Sequence, residues 1–253
     1  MRTAGRRWTD WAGIVVALSQ VHASCVYAPP PVLAQGQGAD TLGRMRVNAG
    51  TEVGYGVVAS WWNANGIGDA DINSNPAGAV RVRFGVTDDL DVGLVGGLGP
   101  DRTIIAGPEV KWRFARLVES AIEGAPAFHA SVVSGVGLGS STFRYGGYGV
   151  DAGSSHIYVA PYTGLLVSGG IQLIQMYSGF RVAASQTLDA SRADLTIYPV
   201  LAFGVEVRPE RFYHLFVEGD LAGGYTTQNA NDAAILGYAV GGVSMTFDLA
   251  PAK

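Results

Sequence analysis

The sequence predicts an all-β chain: a closed, antiparallel, up-and-down β-barrel of about ten strands that crosses a membrane, eight or twelve being the neighbouring even counts. Three observations lead there. Apolar and polar residues alternate with period two in segment after segment between 43 and 249, which is the pattern of strands with one buried face. Charged residues make up 15% of the chain, against about 25% in an ordinary soluble domain. And the region beyond the N-terminus holds no apolar run of about 18 residues, so a helical span is excluded there. Strands that cross lipid must close into a barrel, because an open sheet edge finds no hydrogen-bond partner in hydrocarbon.

The N-terminus reads as targeting rather than fold. Arg2, Arg6 and Arg7 precede the short apolar run Trp11–Val21, the layout of a secretory signal peptide, which predicts a signal over residues 1–24. His22-Ala23-Ser24-Cys25 resembles a bacterial lipobox, with His22 where leucine is usual; the resemblance implies lipidation of Cys25. Ordinary cleavage after Ala23 or Ala34 is the alternative. Cys25 is the one cysteine in the chain, so no intramolecular disulfide explains it. Residues 25–42 contain proline and glycine without periodicity, which predicts an extended, mobile tether.

The strands follow in order. Arg44–Tyr55 sets Met45, Val47, Ala49, Val53 and Tyr55 against Arg44, Arg46, Asn48 and Glu52. Trp61–Gly78 is polar and glycine-rich, and reads as a long loop. Ala79–Leu98 shows the grammar most clearly: Val80, Val82 and Phe84 oppose Arg81 and Arg83, Asp88-Asp89 breaks the run, and Val92 and Leu94 resume it opposite Asp91 and Gly93. That is a hairpin. Gly99–Thr103 connects to Ile104–Phe114, where Val110, Trp112 and Phe114 face away from Glu109, Lys111 and Arg113. Ala115–Ala125 fits a short amphipathic helix or a turn.

Phe128–Leu138 is strand-like, and Ser140–Ser155 is a second long polar loop. Ile157–Val167 is apolar on both faces. A strand near Tyr177–Ser185 carries Arg181 on its polar side. Thr196–Arg208 ends in Glu206 and Arg208, and Pro209-Glu210-Arg211 is a tight connection. Leu215–Tyr225 sets Leu215, Val217 and Leu221 against Glu218 and Asp220. Ile235–Leu249 closes the series, leaving residues 250–253 as a tail. Long connections (Trp61–Gly78, Ser140–Ser155, Thr226–Ala233) and tight ones (Asp88-Asp89, Pro209–Arg211) fall at opposite ends, as in a barrel with one looped and one trimmed rim.

A soluble barrel has the same period with its apolar face inward. The charges decide between the two here, because they occupy alternate mid-strand positions, where a lipid-facing Arg or Lys costs about 2–4 kcal/mol. Turned inward they can pair. The predicted interior is therefore Arg44, Arg46, Arg81, Arg83, Lys111, Arg113, Arg181 and Arg208 with Glu52, Asp91, Glu109, Glu206, Glu218 and Asp220. A barrel this narrow has little interior beyond its own side chains. Tyr55, Trp61, Trp62, Trp112, Phe114, Phe212, Tyr213 and Phe247 lie near strand ends, where aromatic girdles sit.

On this pattern, over Gly43–Leu249, the chain resembles small outer-membrane β-barrel proteins of Gram-negative bacteria. The resemblance implies an outer-membrane location, contact with outer-membrane lipids, and insertion by the barrel assembly machinery. It departs at the C-terminus, where Phe247 is followed by Asp-Leu-Ala-Pro-Ala-Lys rather than ending the chain.

Chemistry is sparse. Asp69, Asp71 and Asn73 have calcium-loop spacing, but Ser74 stands at the turn glycine and Val80 at the bidentate glutamate. His129, His156 and His214 lack metal-ligand spacing. Gly135, Gly137 and Gly139 lack the strand-to-helix context of a phosphate loop. Glu218 and Asp220 share a face and read as structural ions. The expectation is no enzyme, no cofactor and no metal, and a net charge of −4 gives no reason to invoke nucleic acid. Three functions fit. One is a structural or surface-interaction barrel with an interior filled by paired charges. The second is a narrow channel for small polar or anionic solutes, suggested by eight basic against six acidic interior positions. The third is a soluble, lipocalin-like periplasmic carrier with its faces reversed.

Overall fold

The computed structural model describes residues 37–62, 69–99, 103–118, 126–142, 155–171, 173–188, 195–210, 212–226 and 233–249. The signal segment, Cys25 and the first part of the predicted tether lie outside them. Ten strands form: β1 (Arg46–Trp62), β2 (Asp69–Gly85), β3 (Leu90–Gly99), β4 (Thr103–Val118), β5 (Ala127–Thr142), β6 (Ser155–Gly170), β7 (Ile174–Thr187), β8 (Leu195–Glu210), β9 (Tyr213–Thr226) and β10 (Ala233–Asp248). Each pairs antiparallel with its sequence neighbours, and β1 pairs with β10, so the sheet closes on itself as an up-and-down barrel. Closure leaves no edge strand. No described helix is long and apolar enough to cross a membrane.

The predicted loop at Trp61–Gly78 is largely strand. Pairing of β1 with β2 continues through Val57–Ser74 to Trp62–Asp69. The ladder is made by backbone groups whatever the side chains are, so a stretch whose two faces are equally polar loses the period-two signal while keeping the strand. The Asp69, Asp71 and Asn73 positions accordingly lie on β2 rather than in a calcium-type loop. Likewise β4 runs on through Val118, where a helix or turn is expected from Ala115. The strand predicted near Tyr177–Ser185 spans Ile174–Thr187.

The partition of faces follows the alternation. Around the outside run Val53, Tyr55, Val82, Leu94, Ile104, Val110, Trp112, Phe114, Leu138, Leu165, Phe180, Phe203, Val217, Leu221 and Phe247, all exposed. On β1, β4, β6 and β8 the outward apolar row spans eleven positions: Val47–Val57, Ile104–Phe114, Ile157–Val167 and Ile197–Val207. Ten rises of about 3.3 Å make about 33 Å of strand, or about 25 Å along the axis at a tilt of about 40°. Among the predicted girdle residues, Trp112 and Phe114 stand with ring centroids 6.0 Å apart near the turn-bearing rim. Phe212, Tyr213 and Phe247 are exposed at the same rim.

Inside, large rings lie over glycines of the next strand. Tyr162 pairs with Gly135, Tyr158 with Gly139, Tyr177 with Gly204 and Phe216 with Gly242. A Cβ on Gly204 would fall within the Tyr177 ring. The Gly135 and Gly139 positions, which look faintly like a phosphate loop, are seats for tyrosines. Gly204→Ala is therefore expected to cost about 1–3 kcal/mol through overpacking. A lower urea midpoint in detergent micelles would show it; an unchanged midpoint would mean the ring moves aside freely.

Candidate functional site

The lumen is the site, and its first component is a segment expected to be mobile. Gln37–Leu42, the end of the predicted tether, is threaded across the barrel mouth instead. A turn with Gly43 at φ 83° and Met45 at φ 60° leads from it into β1, closed by the Met45 N–H donating to the Gly85 carbonyl at 2.9 Å. Its partners come from β1, β2, β3, β4, β6 and β8. The Gln37 amide donates to Asn48 Oδ1 at 2.6 Å and accepts from Arg83 at 2.6 Å. The Gly38 N–H donates to Glu206 at 3.1 Å, and the Gly38 carbonyl accepts from Lys111 Nζ at 2.6 Å. Ala39, fully buried, donates its N–H to Ser168 Oγ at 2.9 Å. The Leu42 N–H reaches both Asp91 oxygens at 3.2 and 3.1 Å.

A backbone without regular structure needs partners for each buried polar group, and here the wall's ionic side chains supply them. We call the segment the strap. Asp40 anchors it by a two-pronged contact with Arg208, Nη1 to Oδ2 at 2.7 Å and Nη2 to Oδ1 at 2.9 Å. Burial pushes the Asp40 carboxyl up, but attraction and hydrogen bonding from Arg208, with Lys111 behind, more than reverse this and hold it far below the usual carboxylate range.

Above the strap the charges interlock. Glu109 Oε1 accepts from Arg83 Nε at 2.9 Å and Nη2 at 2.5 Å, and Arg81 Nε stands 3.5 Å from the same oxygen. Its other oxygen accepts the Tyr162 hydroxyl at 2.5 Å. The Arg81 guanidinium also reaches Glu52 at 3.8 Å. The Arg181 guanidinium lies 5.7 Å from the Tyr162 ring centroid and 3.9 Å from Asp220. The Tyr177 hydroxyl donates to Glu218 at 2.7 Å. Buried Tyr158, Tyr198, Tyr238 and Leu236 fill the half toward the other rim. Between Gln37, Glu52, Arg81 and Phe216 only about 10 Å³ stays open, room for about one water at most.

Glu52, Arg81, Arg83, Asp91, Glu109, Lys111, Arg181, Glu206, Glu218 and Asp220 are buried in this interior. The remaining predicted interior residues are elsewhere. Arg208 sits at the mouth. Arg46 is half-exposed on the rim, paired with Asp248 at 2.6 Å across the β1–β10 seam. Arg113 binds Asp89 of the β2–β3 turn at 2.8 Å, with Arg116 on the same oxygen at 3.1 Å. These hydrogen bonds, Arg113's first, hold the Asp89 carboxyl below its ordinary value. Arg44 precedes β1 and is exposed. These four arginines lie at the rim because the alternation runs on past the buried charge cluster to the strand ends. With them removed, the buried interior among the described residues holds four basic residues against six acidic ones, and these show no basic excess of the kind that suggested anions.

Of the other candidates, His214 Nδ1 lies 2.5 Å from Glu206 Oε1, and His129 faces inward near the mouth on β5. The His156 side chain lies outside the described residues. No group of three or more His, Cys, Asp or Glu among the described residues is placed to hold a metal ion.

No protein-family model matches the chain, and no curated protein matches it. Solved structures similar to it include the outer membrane protease OmpT from Escherichia coli, 10% identical, covering 83% of this chain and 100% of that one, TM-score 0.40. An outer membrane channel from Pseudomonas putida F1 is 9% identical over 87% of this chain and 100% of its own, TM-score 0.44. The attachment invasion locus protein Ail of Yersinia pestis is 12% identical over 79% and 98%, TM-score 0.26. At these values neither residues nor activities carry over from them.

The alternation pattern does not reveal the strap, Asn48, Ser168 or the inward tyrosines as parts of one site. Parity places Tyr162 and Tyr177 inward, opposite glycines, and that pairing is the signal available for them. The strap has none, since it forms no strand: Gly38, Ala39 and Leu42 serve through backbone groups, Gln37 and Asp40 through side chains.

Proposed function

We propose that this chain is a Gram-negative outer-membrane barrel protein with a closed interior, acting structurally or through what its looped rim presents, rather than by conduction. One observation carries the reading: an apolar outer belt about 25 Å tall surrounds a core of paired, buried charges. That height matches the apolar band of outer-membrane barrels, about 25 Å. A water-soluble barrel would need the reverse partition, which weighs against the lipocalin-like carrier. Against the channel reading stand the strap across the mouth, the Glu109 cluster and the buried tyrosines toward the other rim.

Outer-membrane lipids are then the main partner, and the barrel assembly machinery inserts the chain. Cys25, as a lipidation site, precedes Gln37 by twelve residues, at most about 40 Å of extended chain, enough to reach the adjoining leaflet from the strap's mouth.

Two measurements test this. The unheated protein is expected to migrate faster than the boiled one on SDS gels and to resist carbonate extraction. In planar bilayers it is expected to give no stepwise conductance. Release by carbonate sinks the membrane assignment, whereas steady conductance sinks the closed interior alone.

A further inference from the structure

Beside the strap lies a cavity of about 590 Å³, lined by Asp40, Arg46, Glu206, Arg208, Glu210 and His214 among others. Its volume is within the range of small-molecule sites, about 300–1,000 Å³. Rim residues Pro209 and Glu210 are exposed, so the cavity gives onto the outside at the turn-bearing end. At its inner wall Arg208 holds the Asp40 carboxylate with both prongs, at 2.7 and 2.9 Å. A guanidinium fork matched to a planar carboxylate is the standard means of reading that group. Asp40, however, belongs to a segment without secondary structure, whereas Arg208 belongs to the barrel wall. The receptor half of the contact is rigid, and the occupying half is a single side chain.

We propose that this mouth cavity is a binding site for a zwitterionic, amino-acid-like solute. The solute's carboxylate takes the place of Asp40 on Arg208, with its ammonium toward Glu210 at the rim of the cavity. Asp40 is the resident competitor. With Asp40 turned aside, Arg46 stays on Asp248 at 2.6 Å and Arg208 on Glu206 at 3.0 Å, which leaves the exposed Glu210 of the same lining to meet an ammonium. A lining with a carboxylate-reading fork at one wall and the Glu210 carboxylate at its rim favours a zwitterion over a simple anion. The site's chemistry is independent of whether the outer belt meets lipid or water.

The test uses the full chain in detergent, with glycylglycine as probe and its C-terminal amide as control. Folding is checked by heat-modifiable migration, and binding is measured by isothermal titration. Asp40→Ala is expected to bind glycylglycine at least tenfold more tightly than the parent and to ignore the amide. Adding Arg208→Lys, which keeps the charge and removes the fork, is expected to weaken binding at least tenfold. If Asp40→Ala fails to fold, Asp40→Asn replaces it with the same expectation. A folded Asp40 variant that binds no better than the parent overturns the proposal. Equal affinity for the amide overturns it too, as does equal affinity for inorganic phosphate, which would mark a general anion site.

Discussion

Glu109→Ala is expected to destabilise the barrel by about 3–5 kcal/mol, the effect of breaking a buried ion pair by removing one partner. Glu109 is 2% exposed and receives Arg83, Arg81 and the Tyr162 hydroxyl on its two oxygens. Its loss leaves two buried guanidinium groups and a phenol without their shared acceptor. The measurement is denaturant unfolding in micelles or vesicles, with Arg46→Ala as reference. Arg46 makes one half-exposed salt bridge, for which about 0–1 kcal/mol is expected. If Glu109→Ala costs no more than Arg46→Ala, the interior network is not what stabilises the barrel.

The neighbouring position gives the complementary result. Val110 is the next residue along β4 and points outward, 43% exposed. In vesicles Val110→Arg is expected to cost about 2–4 kcal/mol, because Val110 lies near the middle of its eleven-residue apolar row, while Phe114→Arg at the end of that row costs about 0–1 kcal/mol. On a water-facing surface both substitutions would stay within about 0.5 kcal/mol. A depth gradient thus reports hydrocarbon directly. Equal, negligible effects at both positions would put the belt in water.

How much of this was legible beforehand depends on which physical rule governs each residue. Strand existence, count and facing follow from period two, which the pleat imposes on any strand with unlike faces. Arg81, Arg83, Glu109 and Lys111 therefore declare their side in advance. Boundaries were less legible. The residues 69–78 read as a loop because polarity on both faces erases the alternation, yet the β1–β2 ladder holds them in the sheet. Parity alone puts Arg44, Arg46, Arg113 and Arg208 inward, and parity states the face of a strand and not the height along it.

The mouth was illegible for a different reason. Gln37–Leu42 has no periodicity because it forms no strand, and its backbone and side-chain groups meet residues as many as 168 positions away, as from Gly38 to Glu206.

By itself the amino-acid order determined a closed antiparallel barrel, ionic within and apolar without, because side-chain alternation is a local consequence of the extended backbone. Only the tertiary structure decided which charges meet, that four arginines stay at the rim, and that the segment Gln37–Leu42 lies across the mouth. Those outcomes depend on barrel closure and register, which bring together residues far apart along the chain, and no local pattern encodes such distances.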